Sequence, residues 1–360
     1  RGGPVSRRIA IVGGGLVGAT LALALDRAGL EPVVVEPHPP APGREHEDPR
    51  TVALSPASIA LLTELGAWGS GEGAVPGICP YAAMEVWDGD GTGRVRFEAG
   101  ELGVSSLGTI TPNGFLLARL WARLEDRGIA CVTGAGVVGL DRDAQGARLT
   151  LEDDRSVEAT VVVAADGGRS RVRELAGIAS RVDPMGQLAV ATTVVTERPH
   201  EDTAWQRFLD TGPLAFLPLP DDAAGRHRVS VVWSLDEAAA GEIRELDDPA
   251  FAAALEAAFE GRLGRVLEVG PRGGFPLQQV HAERYVADRV VLVGDAAHVV
   301  HPLAGQGVNL GLKDVVVLAG VLDGINRGPA AARLGDAALL GRYERARRGD
   351  NALALGAMDG

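Results

Sequence analysis

Residues 8–36 read RIAIVGGGLVGATLALALDRAGLEPVVVE, and they decide the fold. A short β-branched strand over Ile9–Val12 meets Gly13-x-Gly15-x-x-Gly18, a helix rich in Ala and Leu follows, and Pro32–Glu36 closes as a second strand. This is a βαβ unit of roughly 30 residues with an acid at its end, the spacing of a dinucleotide-binding fold. Gly13 allows the tight turn, Gly15 lets the backbone approach a pyrophosphate, and Gly18 lets helix and strand pack closely. The helix N-terminus then faces the phosphates, and Glu36 is expected to accept hydrogen bonds from an adenosine ribose. A glycine-rich turn without a ligand is the plainer reading of a lone GxGxxG. Its place between strand, helix and strand, with the acid in register, favours the dinucleotide. This unit alone does not separate NAD from FAD.

Around this unit lie 360 residues, 46% of them hydrophobic, enough for two domains and a sizeable core. The net charge of -13 argues against a nucleic-acid partner. Cys79 and Cys131 lie far apart and form no CxxC pair, so a disulfide framework, a zinc site and a redox dithiol are all poorly supported. No apolar run reaches the roughly 18 residues of a spanning helix, and the N-terminus lacks the apolar stretch of a signal peptide. A cytoplasmic protein is therefore expected. The chain begins at Arg1 and ends at Gly360 on a stretch that reads as helix, which leads us to expect natural sequence beyond it.

Further along, Asp48-Pro-Arg-Thr-Val-Ala-Leu-Ser55 leads into a helical pattern ending near Gly66. Met84–Phe97 alternates as a hairpin with an Asp-Gly turn, and FLLARLWARLEDR, residues 115–127, has helical spacing closed by Gly128. Strand-like runs recur from Ile129 to Ala165 and from Leu188 to Leu235, before an Ala-rich helix at 249–261. A second domain on an antiparallel sheet is the natural reading.

Two more glycine–acid turns follow apolar strands, Asp166-Gly167 and Gly294-Asp295. Each delivers a carboxylate to the C-terminal edge of a strand, where α/β sheets bind ligands. At these residues the chain resembles the FAD-dependent aromatic-ring monooxygenases of the para-hydroxybenzoate hydroxylase type, and within them the ubiquinone-biosynthesis hydroxylases. The resemblance covers nearly the whole chain. Gly13-x-Gly15-x-x-Gly18 with Glu36 is similar to the family's ADP-binding motif, and the 48–55 segment to one whose arginine, here Arg50, lies by the flavin. Asp166-Gly167-x-x-Ser170-x-x-Arg173 matches a DGxxSxxR pattern thought to serve both FAD and the nicotinamide nucleotide. Gly294-Asp295-Ala-Ala-His298, continuing through Pro302, Gly305, Gln306, Gly307, Val308 and Asn309, matches the flavin-binding GD motif, and the phrase HPLAGQGVNLGLKD points to the ubiquinone subgroup.

The resemblance implies an α/β fold. A Rossmann-like FAD-binding domain would comprise residues 1–75, 105–180 and 282–360, and an inserted antiparallel-sheet substrate domain residues 76–104 and 181–281. It implies FAD as cofactor and NAD(P)H as electron donor. Asp295 would hydrogen-bond the ribitol, Arg119 would add a flavin contact, and the helix starting near Gly307 would aim its positive end at the pyrimidine edge. That helix is apolar nearly all round and is expected to be buried. Asn113 resembles a polar residue near the flavin, although Pro112 departs from the pattern. An ion pair between Asp166 and Arg173 is the plainer reading of those two residues, and flavin packing, not metal, is the reading of His298 and His301.

The implied reaction is hydroxylation of a phenolic ring via a flavin hydroperoxide, the substrate being a prenylated phenol of ubiquinone biosynthesis. Such a substrate implies contact with the inner membrane's surface or with a quinone-biosynthesis assembly. Hydroxylation of a soluble aromatic or polyketide, and a non-catalytic flavin-binding scaffold, are the alternatives. Phe208, Phe216, Trp233 and Phe275 are candidate pocket walls, each equally readable as core.

Overall fold

The computed structural model describes residues 7–69, 75–89, 93–300, 306–328 and 330–356. A six-stranded sheet runs in the order Val286–Ala287, Val290–Leu292, Val161–Ala164, Arg8–Val12, Glu31–Glu36, Ala130–Thr133. Its pairings are parallel except at the edge, where Val286–Ala287 pairs antiparallel to Val290–Leu292. Val161–Ala164 is buried at every residue, which is why it reads as an unbroken apolar run. The helix Leu16–Arg27 links the first two neighbouring parallel strands, and its Ala and Leu side chains are mostly buried.

A nine-stranded sheet forms the second layer. Its main path is His298–Val299, Gly273–Ala282, Ser180–Thr196, His227–Asp236, Gly212–Leu219, Thr203–Leu209, Ala83–Asp88, Arg94–Glu98, with Val266–Val269 also paired to Ser180–Thr196. Thr203–Leu209 and Ala83–Asp88 run parallel, so the sheet is mixed where the sequence reading expects it antiparallel. The two strands come from distant parts of the chain, and no hairpin constrains their sense. The expected hairpin does form, pairing Ala83–Asp88 with Arg94–Glu98. One face of this sheet carries Trp87, Phe216 and Trp233 and packs on the helices Glu237–Glu245 and Asp248–Ala258. Phe216 stacks on Phe259 with ring centres 3.7 Å apart. Phe216 and Trp233 are therefore core. Strand alternation puts Phe208 and Phe275 on the opposite face, because Trp205 pairs with Phe216 and Ala189 with Phe275.

Between the layers lies a small sheet of Thr51–Leu54, Gly108–Pro112 and Cys79–Tyr81. Thr51 Oγ1 meets Ser230 Oγ at 2.9 Å, joining it to the large sheet. The helix Gln306–Arg327 is not buried all round: Leu312, Val315, Leu318, Leu322 and Ile325 form a buried stripe, while Val316 is 54% exposed. Apolar content exceeds what one face can bury, and the surplus faces solvent.

That helix is held to the parallel sheet by Asp314, which is fully buried. Its Oδ2 accepts from the Gly294 N–H at 2.9 Å and meets His298 Nε2 at 2.6 Å, and its Oδ1 accepts from Arg347 Nε at 2.6 Å. Arg347 comes from the last helix, Ala337–Gly356, and is 1% exposed. In the same helix the Tyr343 hydroxyl donates to Leu292 O at 2.8 Å, and burial holds that phenol well above its ordinary pKa. Burial pushes the Asp314 carboxyl up, but His298, Arg347 and the Gly294 N–H outweigh it and hold the carboxyl below its usual range.

Asp314→Asn removes the buried anion that the Gly294 N–H, His298 and Arg347 Nε meet and should cost about 3–5 kcal/mol of stability. Because the folded carboxyl is more acidic than the unfolded one, the wild-type advantage is complete above the unfolded value of about 4. It disappears only as pH falls through the still lower folded value. Thermal melts of both proteins should therefore show a constant gap from pH 8 to pH 5, and a gap that narrows already near pH 6 would contradict this assignment.

Candidate cofactor and active site

The three glycine–acid turns meet at the C-terminal edge of the parallel sheet. Gly13 N donates to Val35 O, Ala165 N to Val12 O and Val293 N to Ala164 O, so each turn leaves its strand beside the next. Gly13 has φ +102°, and a Cβ there would lie 2.2 Å from Ala165 O; a Cβ on Gly18 would lie 1.9 Å from Gly13 O. The first requires glycine by conformation and by space, the second by the close passage of helix over turn. A Cβ on Gly15 would meet nothing within 4 Å. Gly15 caps the helix Leu16–Arg27 without a side-chain hydrogen bond, and no acid stands in that helix's first turn. Among the described residues none caps its first N–H groups with a side chain, which leaves them directed at an anion.

Glu36 is already oriented. Its Oε2 accepts from Gly14 N at 2.7 Å and its Oε1 from His38 N at 2.9 Å, while Trp121 Nε1 donates to Gly14 O at 2.8 Å. Each Glu36 oxygen still has a lone pair for a ribose hydroxyl.

The second turn differs from expectation. Asp166 takes the Ser170 hydroxyl at 2.5 Å and the Val172 N–H at 3.1 Å, and burial lifts its carboxyl above the usual value despite these bonds. Arg173 does not pair with it. Arg173 is 5% exposed and donates to Gly168 O at 2.8 Å and Ala296 O at 2.9 Å, tying the second turn to the third. Gly167 sits at φ +81° with open space where a side chain would be.

In the third turn Gly294 has φ +56°. Asp295 is exposed, but in a hollow whose walls desolvate it and raise its carboxyl, with His298 opposing the rise and Asp314 adding to it. No described residue donates it a hydrogen bond. His298 is committed to Asp314, a structural role. His301, Pro302 and Gly305 lie outside the described residues, as does the side chain of Gln306, which opens the helix. Gly307 faces open space and Val308 is half-buried. Asn309 turns away to other work: its Oδ1 accepts from Ser55 N at 2.9 Å and Ser58 Oγ at 2.7 Å, and its Nδ2 donates to Ala53 O at 2.7 Å. It joins the helix to the segment that carries Arg50.

Arg50 is held bidentately by Asp48, at 2.8 and 2.7 Å, and lies over the Phe275 ring, 5.2 Å from its centre. Asn113 Nδ2 donates to Asp48 Oδ2 at 2.6 Å, so Asn113 reaches Arg50 through Asp48. Burial raises the Asp48 carboxyl, but Arg50 and Asn113 bring it below its ordinary value. The Arg119 Nε is buried without a partner. Asp48, Trp121, Asp314 and Arg347 carry this site without standing out in the sequence. Asp48 and Asp314 bound quoted motifs, whereas nothing local marks Arg347.

An open helix N-terminus, an oriented ribose acid, an unpartnered carboxylate on the third turn and an orphaned guanidinium N–H match the pyrophosphate, ribose and polyol of a flavin dinucleotide. These residues fit FAD.

Comparison with known proteins agrees. Residues 7–352 match the family model described as FAD binding domain. The chain is 37% identical over 356 residues to the 3-demethoxyubiquinol 3-hydroxylase of Escherichia coli strain K12, covering 98% of this chain and 88% of that protein. It is 40% identical over 359 residues to the ubiquinone hydroxylase UbiL of Rhodospirillum rubrum, covering 98% and 80%. Among solved structures, p-nitrophenol 4-monooxygenase PnpA of Pseudomonas putida DLL-E4 superposes with a TM-score of 0.72 at 23% identity, covering 94% of this chain and 84% of that one, and so shares the fold. A chain matched end to end in this way, with the three turns assembled at one sheet edge, belongs to the FAD-dependent aromatic-ring monooxygenases, in the branch of the ubiquinone-biosynthesis hydroxylases.

Proposed function

We propose that this monooxygenase hydroxylates a prenylated phenol on the route to ubiquinone, with NAD(P)H as electron donor. The observation that carries the substrate class is the similarity along 98% of the chain to two hydroxylases named for ubiquinone or its precursor. When bound, FAD supplies the activation of dioxygen and the transfer of one oxygen atom to the ring. The chain supplies placement. Gly15 and the helix behind it receive the pyrophosphate, Glu36 the ribose and Asp295 the ribitol. The helix beginning at Gln306 directs its positive end to where negative charge gathers on reduction. Arg173 holds two of the turns at a fixed separation. Arg50, stacked over Phe275, borders the phenol's side.

In this reading the inward face of the nine-stranded sheet is the substrate side, and the proposed division is 76–104 with 181–281 for substrate and the remainder for FAD. Its separate core around Trp87, Trp233 and Phe259 supports that division. Contact with a membrane surface or a quinone-biosynthesis assembly belongs to the same reading, because a prenyl tail partitions into lipid. Among the described residues no helix is long and apolar enough to cross a membrane.

The deciding experiment is an anaerobic titration of the FAD-loaded protein with NADPH and NADH, with and without a short-chain prenylphenol, followed by flavin absorbance. We expect reduction that accelerates when the phenol is present; reduction by neither nucleotide under any condition contradicts the nicotinamide donor.

Asp295 supports a second test with opposite signs for stability and binding. In the apoprotein its carboxyl is raised, so its ionised form costs stability above the folded pKa and costs nothing below the unfolded one. Asp295→Asn should raise the apoprotein melting temperature at pH 8 and lose that gain as the solution is acidified. The same change should weaken FAD about tenfold or more by removing a charged acceptor. An apoprotein that melts lower at pH 8, with FAD affinity unchanged, would remove Asp295 from the cofactor site.

A further inference from the structure

Three glycines stand in a row at the first turn, although the dinucleotide motif leaves position 14 open. The structure gives Gly14 a reason of its own. A Cβ there would lie 2.5 Å from Trp121 Cζ2 and 3.0 Å from Glu36 Cβ. The same two residues grip Gly14 from opposite ends. Glu36 Oε2 accepts from its N–H at 2.7 Å, and Trp121 Nε1 donates to its carbonyl oxygen at 2.8 Å. Trp121 reaches the turn from the helix Asn113–Asp126, 107 residues further along the chain.

The consequence falls on the next residue. In a trans peptide the C=O and the following N–H point in opposite directions, and no described peptide bond is cis. An indole that holds the Gly14 oxygen on one side therefore turns the Gly15 N–H to the other. Gly15 is exposed, and among the described residues nothing accepts its N–H. A peptide between two glycines reverses easily, since reversal carries Gly15 from φ -70° into the positive range that glycine tolerates. Gly14 itself is buried. Without the indole its carbonyl gains by turning outward to water, and an oxygen then stands where an N–H would receive phosphate.

We propose that Trp121 is a positioning residue for the cofactor's pyrophosphate, its indole N–H fixing the Gly14–Gly15 peptide so that the Gly15 N–H faces the anion. The inference rests on the assignment of FAD and not on the substrate proposed above. A residue outside the glycine motif thereby controls what the motif presents.

The test titrates the full-length apoprotein with ADP by calorimetry and with adenosine by displacement of ADP. Both ligands carry the base and the ribose, and only ADP carries phosphates for the Gly15 N–H. The ratio of their affinities isolates the phosphate contribution within each protein, so a general loss of stability or a disturbed Glu36 cancels. Trp121→Phe should lower the preference for ADP over adenosine about tenfold and weaken FAD in step with ADP. Replacing the Trp121 indole by its benzothiophene isostere keeps the ring and removes only the N–H. It should give the same result, and it serves where the Phe variant packs poorly. Equal weakening of ADP and adenosine would make Trp121 a packing wall and overturn the inference. A wild type that binds ADP no more tightly than adenosine overturns it too, as does an isostere with the wild-type preference.

Discussion

The site depends on one buried carboxylate. Asp314 has no access to water and binds a backbone N–H and an imidazole from the third turn and a guanidinium from the last helix. An anion in such surroundings is tolerable only when every partner is in place, so the four groups stand or fall together. Through Gly294 this cluster sets the third glycine turn, through Arg347 it fixes the last helix, and through its own backbone it sets the direction of the helix that follows the GD motif. No described residue donates a hydrogen bond to Asp295, whereas Asp314 receives the Gly294 N–H and the Arg347 guanidinium. Two adjacent motif acids thus divide the work, one holding the fold and the other held ready for the cofactor.

The same economy recurs at the other turns. Arg173, which sequence logic pairs with Asp166, donates instead to two backbone carbonyls. Asn309 is similarly occupied by Ser55, Ser58 and Ala53. In both cases a motif residue sits one step behind the cofactor and positions the backbone that would touch it. Motif membership alone does not separate these supporting roles from direct contact, because both kinds of residue recur at the same spacing.

What the sequence made legible was local. The βαβ unit, its glycines and Glu36 lie within one short segment, and their periodicity and spacing follow from the geometry of a single turn. Arg347 was invisible because its partner is 33 residues away and nothing in its surroundings marks it. Phe216 and Trp233 could not be told from Phe208 and Phe275 by composition. All four are aromatic residues in alternating strands, and the pairing register decides which face each one meets. The sense of the Ala83–Asp88 pairing was hidden for the same reason, since it joins segments more than a hundred residues apart.

The order of strands in the parallel sheet bears on how the molecule comes into being. Arg8–Val12 has Val161–Ala164 as a neighbour, and that strand in turn borders Val290–Leu292. The cofactor edge is thus assembled from the first, middle and last thirds of the chain. During synthesis Arg8–Val12 must wait for its outer neighbour until Val161–Ala164 has emerged, and that strand in turn must wait for Val290–Leu292. Pairings this distant in sequence are slow to close and leave apolar edges open to wrong partners meanwhile. A nascent chain of this design has no cofactor platform until its end is made, so its dependence on chaperones should exceed that of a protein whose nucleotide fold is contiguous.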